Sequence, residues 1–244
     1  MILYEVNIMK YVSFSLILFI CLSSQFSVEA NDLHSAVKPV PRSGGWMKRH
    51  ESFNQRVAQG KVDLVLIGDS ITHGWEGKGK SVWEKFYGKR NAVNLGIGGD
   101  RTQHVMWRLD NGNVKGISPK VAVVMIGTNN SGNNSPEEIA DGLAAITKQL
   151  RTKLPKTKVL LLGVFPRGAN KDDGRRQVNE KANAIFKKLA DGKDVHYLDI
   201  GDKFLEPDGT LTRKIMPDLL HLSVEGYTIW AESIEPTLKK LMGE

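Results

Sequence analysis

Five short apolar runs punctuate the 244-residue chain, at 62–67, 92–95, 121–126, 158–164 and 195–199. The first four are dominated by Val, Leu, Ile, Ala or Met, the last is the mixed Val-His-Tyr-Leu-Asp, and each stops at or near a glycine or polar residue. Runs of this length read as strands buried on both faces. Between them lie stretches of helical period. In 44–60 the apolar positions Trp46, His50, Phe53 and Val57 recur every three or four residues, and 102–109 carries Val105, Met106 and Leu109. The segment 135–150 opens with Ser135 as cap, Pro136 at the first helical position and Glu137 and Glu138 in the first turn, as helix starts prefer. Its apolar face is Ile139, Leu143, Ile146 and Leu150. Val178, Ala182, Ile185, Phe186 and Leu189 mark a helix over 175–190, and 225–241 a last one. Strands alternating with helices predict an α/β fold, a five-stranded parallel sheet with helices on both faces. Residues 44–244 contain no repeat, low-complexity tract or linker and read as a single domain, preceded by an extended lead-in over 31–43.

The first thirty residues read differently. Lys10 precedes an apolar stretch over 11–22, and Val28 and Ala30 sit at the −3 and −1 positions of a cleavage site before Asn31. This is the pattern of a secretory signal peptide. A membrane anchor is the alternative, but a stretch of about a dozen apolar residues is short of the ~20 that span a bilayer. A lipoprotein anchor at Cys21 is weaker, because the bulky Ile20 precedes it; translation from Met9 would also retain the pattern. Cys21 is the only cysteine, so a processed chain has no disulfide, and about 210 residues do not need one. The net charge is +7, and residues 1–30 set Lys10 against Glu5 and Glu29, so the remainder is one charge more positive. The basic residues are scattered, without the aromatic interleaving of a nucleic-acid groove, and the excess reads first as solubility, with attraction to an acidic polymer or surface as the alternative.

The chemistry concentrates where strands end. Gly68-Asp69-Ser70-Ile71-Thr72 follows the first run and places Ser70 at the carboxyl edge of the sheet, where open α/β folds bind ligands. Alone, Ser70 reads equally well as a helix cap. Thr72 stands where the nucleophile elbow of α/β-hydrolases needs glycine. Asp218 and His221, three apart, share one face of a turn, so the carboxylate can hold one imidazole nitrogen while the other faces Ser70. In isolation such a pair is ordinary, but it falls in the loop between the last strand and the last helix, at the same sheet edge. The glycines of Asn94-Leu95-Gly96-Ile97-Gly98-Gly99-Asp100 let a backbone N–H of that loop face a ligand, and their spacing does not match a dinucleotide loop. Asn129, in Gly127-Thr128-Asn129-Asn130, offers a side-chain amide; a polar turn is the plainer reading of that loop. The six histidines show no metal-ligand spacing, so no metal is expected. His196 reads as structural and His73 as a lining or solvent residue. Arg101 and Arg167 either position a substrate oxygen or pair with Asp100 or a helix end, and the structural role is the stronger reading. Trp75 and Trp107 offer faces for a sugar, with core packing the stronger reading for Trp107.

Together these four blocks, in this order, resemble the SGNH (GDSL-type) hydrolase superfamily. The stretch 94–109 with Gly127-Thr128-Asn129-Asn130, Phe165-Pro166-Arg167-Gly168 and His221-Leu222-Ser223 is similar to the catalytic subunits of platelet-activating-factor acetylhydrolases and their secreted bacterial relatives, over roughly residues 44–242. The resemblance implies a three-layer flavodoxin-like fold and no cofactor. It implies Ser70 as nucleophile, Asp218 and His221 completing a triad, and an oxyanion hole from Ser70 N–H, Gly99 N–H and Asn129. It also implies cleavage of short acyl esters, acetate above all, and, from the animal relatives, a homodimer. The leader departs from those cytosolic animal enzymes, and secreted relatives look more like carbohydrate esterases. The expectation is therefore a secreted or periplasmic serine esterase acting on acetyl esters of a carbohydrate, without nucleic-acid or integral membrane association. A lipid-directed esterase, such as a lysophospholipase or a platelet-activating-factor acetylhydrolase-like enzyme, is the alternative. A non-catalytic binding protein is a third reading, against which all the reactive residues are retained. Asn129-Asn130-Ser131 is a glycosylation sequon, and a glycan on Asn129 would block an oxyanion donor, so a bacterial source fits better.

Overall fold

A computed structural model describes residues 33–244; the proposed leader lies outside the described residues. Its centre is a parallel sheet of β1 (Leu64–Gly68), β2 (Ala92–Gly96), β3 (Val121–Met125), β4 (Lys158–Leu162) and β5 (Val195–Leu198), in the order β2-β1-β3-β4-β5. Leu64 pairs with Ala92 on one side and Val121 on the other, and β1 keeps this register to its last residue, Gly68.

Alternate residues of each strand feed two separate cores. Val65, Ile67, Val93, Leu95, Val124 and Leu161 face one side. They are covered by α1 (Gly45–Ala58), α4 (Thr102–Asp110), α5 (Pro136–Lys153) and α6 (Gly174–Phe186). Leu64, Leu66, Val123, Met125 and Leu160 face the other, under α3 (Lys80–Phe86) and α7 (Val224–Met242). Burial on both faces is why β1, β3 and β4 read as unbroken apolar runs; β5, at the sheet edge, is buried only at Val195, which departs from the both-face burial expected of it. The predicted elements are present with ends shifted by a few residues; α5 continues to Lys153 and α6 stops at Phe186 before a 3₁₀ turn over Lys187–Leu189. A four-residue helix α2 (Ser70–His73) and the seven-residue α3 were not expected, being too short for a periodic signature. From residue 33 on, the lead-in carries one 3₁₀ turn, Ser35–Val37, flanked by His34 and Lys38 in extended backbone. No helix among the described residues is long and apolar enough to cross a membrane.

Candidate active site

The carboxyl edge of β1 is built around Gly68. A Cβ there would overlap the Thr72 hydroxyl and the Met125 carbonyl of the neighbouring strand, so only glycine lets the chain turn at once into α2. Asp69 then caps α2: its Oδ1 accepts from Ile71 N at 2.9 Å. Capping thus falls to Asp69 rather than Ser70. Ser70 is the first helical residue, its hydroxyl directed to His221 and its N–H without an intrahelical acceptor.

His221 Nε2 lies 2.8 Å from Ser70 Oγ, and His221 Nδ1 lies 2.6 Å from Asp218 Oδ2. The other carboxylate oxygen, Oδ1, accepts from the backbone N–H of His221 at 2.7 Å and of Leu220 at 3.1 Å. Partial burial alone would raise the Asp218 carboxyl, but the hydrogen bonds from the His221 side chain and from these amides outweigh it and hold it below its ordinary value. Asp218 is therefore ionised and fixes the imidazole. The turn carrying the pair has Leu219 at φ +61°, with its carbonyl tied to Gly168 N–H at 2.9 Å.

Opposite Ser70, Asp100 N–H donates to the Ile97 carbonyl at 3.1 Å, closing a turn with Gly99 at φ +75°. That left-handed value at the third position demands glycine. A Cβ on Gly98 would stand 3.9 Å from both Ser70 Cβ and His73 Nδ1, so this loop borders the serine. The half-buried Asn129 donates through Nδ2 to the Asp100 carbonyl at 2.9 Å. One amide hydrogen is fixed there, and the second remains for a ligand.

Residues 66–229 match the model of the GDSL-like lipase/acylhydrolase family. The chain belongs to that family and is a carboxylic ester hydrolase. It is 37% identical over 214 residues to the human platelet-activating factor acetylhydrolase IB subunit alpha1, covering 85% of this chain and 89% of that one. Its fold is similar to a carbohydrate acetylesterase from Sinorhizobium meliloti (19% identical, 74% of this chain and all of that one, TM-score 0.59). It is also similar to an acetylxylan esterase from Geobacillus stearothermophilus (18% identical, 75% and 95%, TM-score 0.59).

Several side chains of this acylhydrolase differ from their sequence reading. Neither Arg101 nor Arg167 pairs with Asp100. Arg101 Nη2 donates to Asn133 Oδ1 at 3.1 Å, and Arg167 Nη1 to the Thr128 hydroxyl at 3.2 Å. Asp100, fully buried, is held instead by Trp46 Nε1 at 2.6 Å and Arg108 Nε at 2.9 Å, with Arg42 Nη1 at 3.5 Å. Trp75, 1% exposed, is packed among Trp83, Tyr87, Tyr227 and Trp230 and has no face for a sugar. Trp107 packs against Trp46 with its ring tilted and against His50 edge-on, as its helix implied. His73 is half-exposed beside the Gly98 loop, and burial, then Arg49, lowers its affinity for a proton. His196, on β5, is partly buried. A groove of about 560 Å³ against β2, lined by Arg49, Phe53 and Trp83 among others, does not include Ser70, Asn129 or His221. The residue that sequence reasoning missed is Arg42, in the lead-in, which donates from Nη1 to the Gly98 carbonyl at 2.8 Å. Nothing in the sequence ties an arginine before α1 to a loop fifty-six residues later.

Proposed function

We propose that this protein is a serine esterase that removes short acyl groups, mainly acetyl, from a carbohydrate. The observation that carries the reading is the unbroken chain Ser70 Oγ–His221–Asp218, facing a turn whose Gly99 N–H has no acceptor among the described residues. In the proposed cycle His221 Nε2 takes the Ser70 proton as Oγ attacks the ester carbonyl. The N–H groups of Ser70 and Gly99 and the free amide hydrogen of Asn129 receive the oxyanion. Protonated His221 then delivers its proton to the leaving alcohol, and water activated by the same imidazole releases the acid from the acyl-enzyme. Asp218 stays ionised throughout and keeps the imidazole in the required tautomer.

Two features support a polar substrate. Arg42, Arg101, Asn129 and Arg167 put polar side chains on the loops around the site, alongside the partly exposed Leu219 and Leu220, and the leader pattern over 1–30 suits an exported enzyme, secreted or periplasmic, that meets glycans outside the cell. The likeness to platelet-activating factor acetylhydrolase subunits favours a second reading, a lipid-directed esterase. Initial rates on p-nitrophenyl esters of increasing acyl length separate the two. Hydrolysis confined to acetate and propionate is expected; a rise with chain length transfers the assignment to lipids. Ser70→Ala is expected to lower turnover by at least ~10³-fold, the scale set by serine triads, and a variant that keeps its activity removes Ser70 from the mechanism.

A further inference from the structure

Eleven arginines lie in the described residues, and most are neutralised. Arg49, Arg90, Arg108, Arg151 and Arg176 each have a carboxylate within 3.2 Å, and Arg42 has one at 3.5 Å. Arg56 and Arg213 instead bond carbonyls of their own turns, Gly60 and Pro217. The remaining three, Arg101, Arg167 and Arg175, have no carboxylate within 4.0 Å among the described residues. All three gather on the turn that presents Asn129. Arg167 is anchored on Thr128 and Arg101 on Asn133. Arg175 lies against Gly132, where a Cβ would sit 3.2 Å from its Nη2.

The acidic groups nearby are committed elsewhere. Asp218 binds His221, Asp173 caps α6 through Arg176 N–H, and Glu138 binds Asn134 and the start of α5. Arg167 is half-buried, and its tendency to lose charge comes first from that burial and then from the like charge of Arg175. The next residue, Gly168, donates its N–H to the Leu219 carbonyl between Asp218 and His221 at 2.9 Å, which sets Arg167 beside the triad, and Arg167 feels Asp173 first and then Asp218 and Asp69. Three converging guanidiniums, one of them half-buried, repel one another, and none forms an ion pair with a carboxylate among the described residues; Asp173, Asp218 and Asp69 act on Arg167 only at longer range. Guanidinium forks match the planar, two-oxygen geometry of a carboxylate.

We propose that Arg101, Arg167 and Arg175 form a subsite for a carboxylate carried by the substrate next to the scissile ester, so that the preferred substrate is an acylated acidic glycan, built on uronic acid units. This rests on the esterase reading above and names its substrate class. The charge serves twice: it draws a polyanion to the site, and it holds the acylated sugar with its carbonyl over Ser70.

The test measures acetate release from an O-acetylated methyl galacturonide and from the matching neutral galactoside, with p-nitrophenyl acetate as control. The expected result is a preference of about tenfold in kcat/KM for the acid, the scale of a few partly exposed ion pairs acting together. It shrinks toward unity in roughly 1 M salt, where the screening length is about 3 Å. In the double variant Arg101→Gln/Arg175→Gln the acid-to-neutral ratio falls severalfold, and Arg167→Lys retains part of it. The ratio is read within one protein sample, so a loss of folded enzyme does not mimic the effect. Equal rates on the two sugars, or a preference for the neutral one, overturn the subsite. If this happens while Ser70-dependent hydrolysis of p-nitrophenyl acetate persists, the esterase reading stands alone; if no ester is cleaved, both fall.

Discussion

Asp69 separates the proposed nucleophile from the sheet and is wholly buried. One carboxylate oxygen caps α2, while Oδ2 has no hydrogen-bond partner. Burial, and to a lesser degree the nearby Asp100, pushes its pKa up to about 7, against the help of the Ile71 amide. The unfolded chain would ionise it near the ordinary carboxylate value. Between about pH 4 and pH 7 the folded state therefore holds a proton that the unfolded state has released, so the Asp69 contribution to stability falls as pH rises through that window. Asp69→Asn keeps an oxygen for Ile71 N–H and removes the titration. The expected outcome is that the variant gains on the wild type from pH 4 to pH 7 in chemical denaturation midpoints, with the difference level above that. Parallel curves across the window would show that Asp69 is ionised throughout. The motif that located Ser70 in the sequence could not show this, because a buried, half-satisfied aspartate and an exposed cap are spelled alike.

At the scale of elements, the lead-in does more than precede α1. Its 3₁₀ turn lies on α4 and α5: the Ala36 carbonyl accepts from the Thr102 hydroxyl at 2.7 Å, Val40 N–H donates to the Gln103 carbonyl at 3.3 Å, and Ser35 Oγ accepts from Asn134 at 2.9 Å. Arg42 ends this strap on the Gly98 carbonyl and so fixes the peptide preceding Gly99. If Gly99 N–H is an oxyanion donor, Arg42 is a positioning residue for it. Arg42→Ala is expected to lower kcat about tenfold, less than outright loss of a donor, with KM little changed and the melting temperature within a few degrees of wild type. Arg42→Lys, which retains a donor, recovers part of the rate. A fall in melting temperature with kcat intact would make the strap a structural brace only. The sequence showed five strands, five helices and all the proposed reactive residues, because strand ends and glycine turns report on local backbone alone. Arg42, α3 and the partners of Arg101 and Arg167 escaped it, because they depend on contacts between segments remote along the chain or on elements too short to have a period.

Across the whole molecule, the elements that converge at the sheet edge are joined by one buried charge pair. Arg108, 1% exposed, donates from Nε to Asp100 at 2.9 Å, from Nη1 to Asn113 Oδ1 at 2.7 Å and from Nη2 to the Gly68 carbonyl at 3.4 Å. Asn113 in turn reaches His50 and Asn54 on α1, and Asp100 accepts from Trp46 on the same helix. The pair therefore connects α1, the end of β1, the Gly98–Asp100 turn and the loop after α4, and through the Asp100 carbonyl it meets Asn129. Burial pulls both partners toward their neutral forms, and each restores the charge of the other. Removing Arg108 leaves the buried Asp100 with only the more distant Arg42 at 3.5 Å and the Trp46 N–H, which costs about 3 kcal/mol, the lower end for a broken buried pair. Arg108→Met, similar in length and apolar, is thus expected to lower the melting temperature on the order of 10 °C in a domain of this size, and to reduce ester turnover as the turn loosens. Adding Asp100→Asn to it removes the orphaned charge, so the double variant should lose less stability than the two single changes summed, the sign of direct coupling. Additive losses would mean that Arg108 stabilises the edge through Asn113 and Gly68 rather than through the charge of Asp100, and that the turn beside Ser70 is held by its glycines and Arg42 alone.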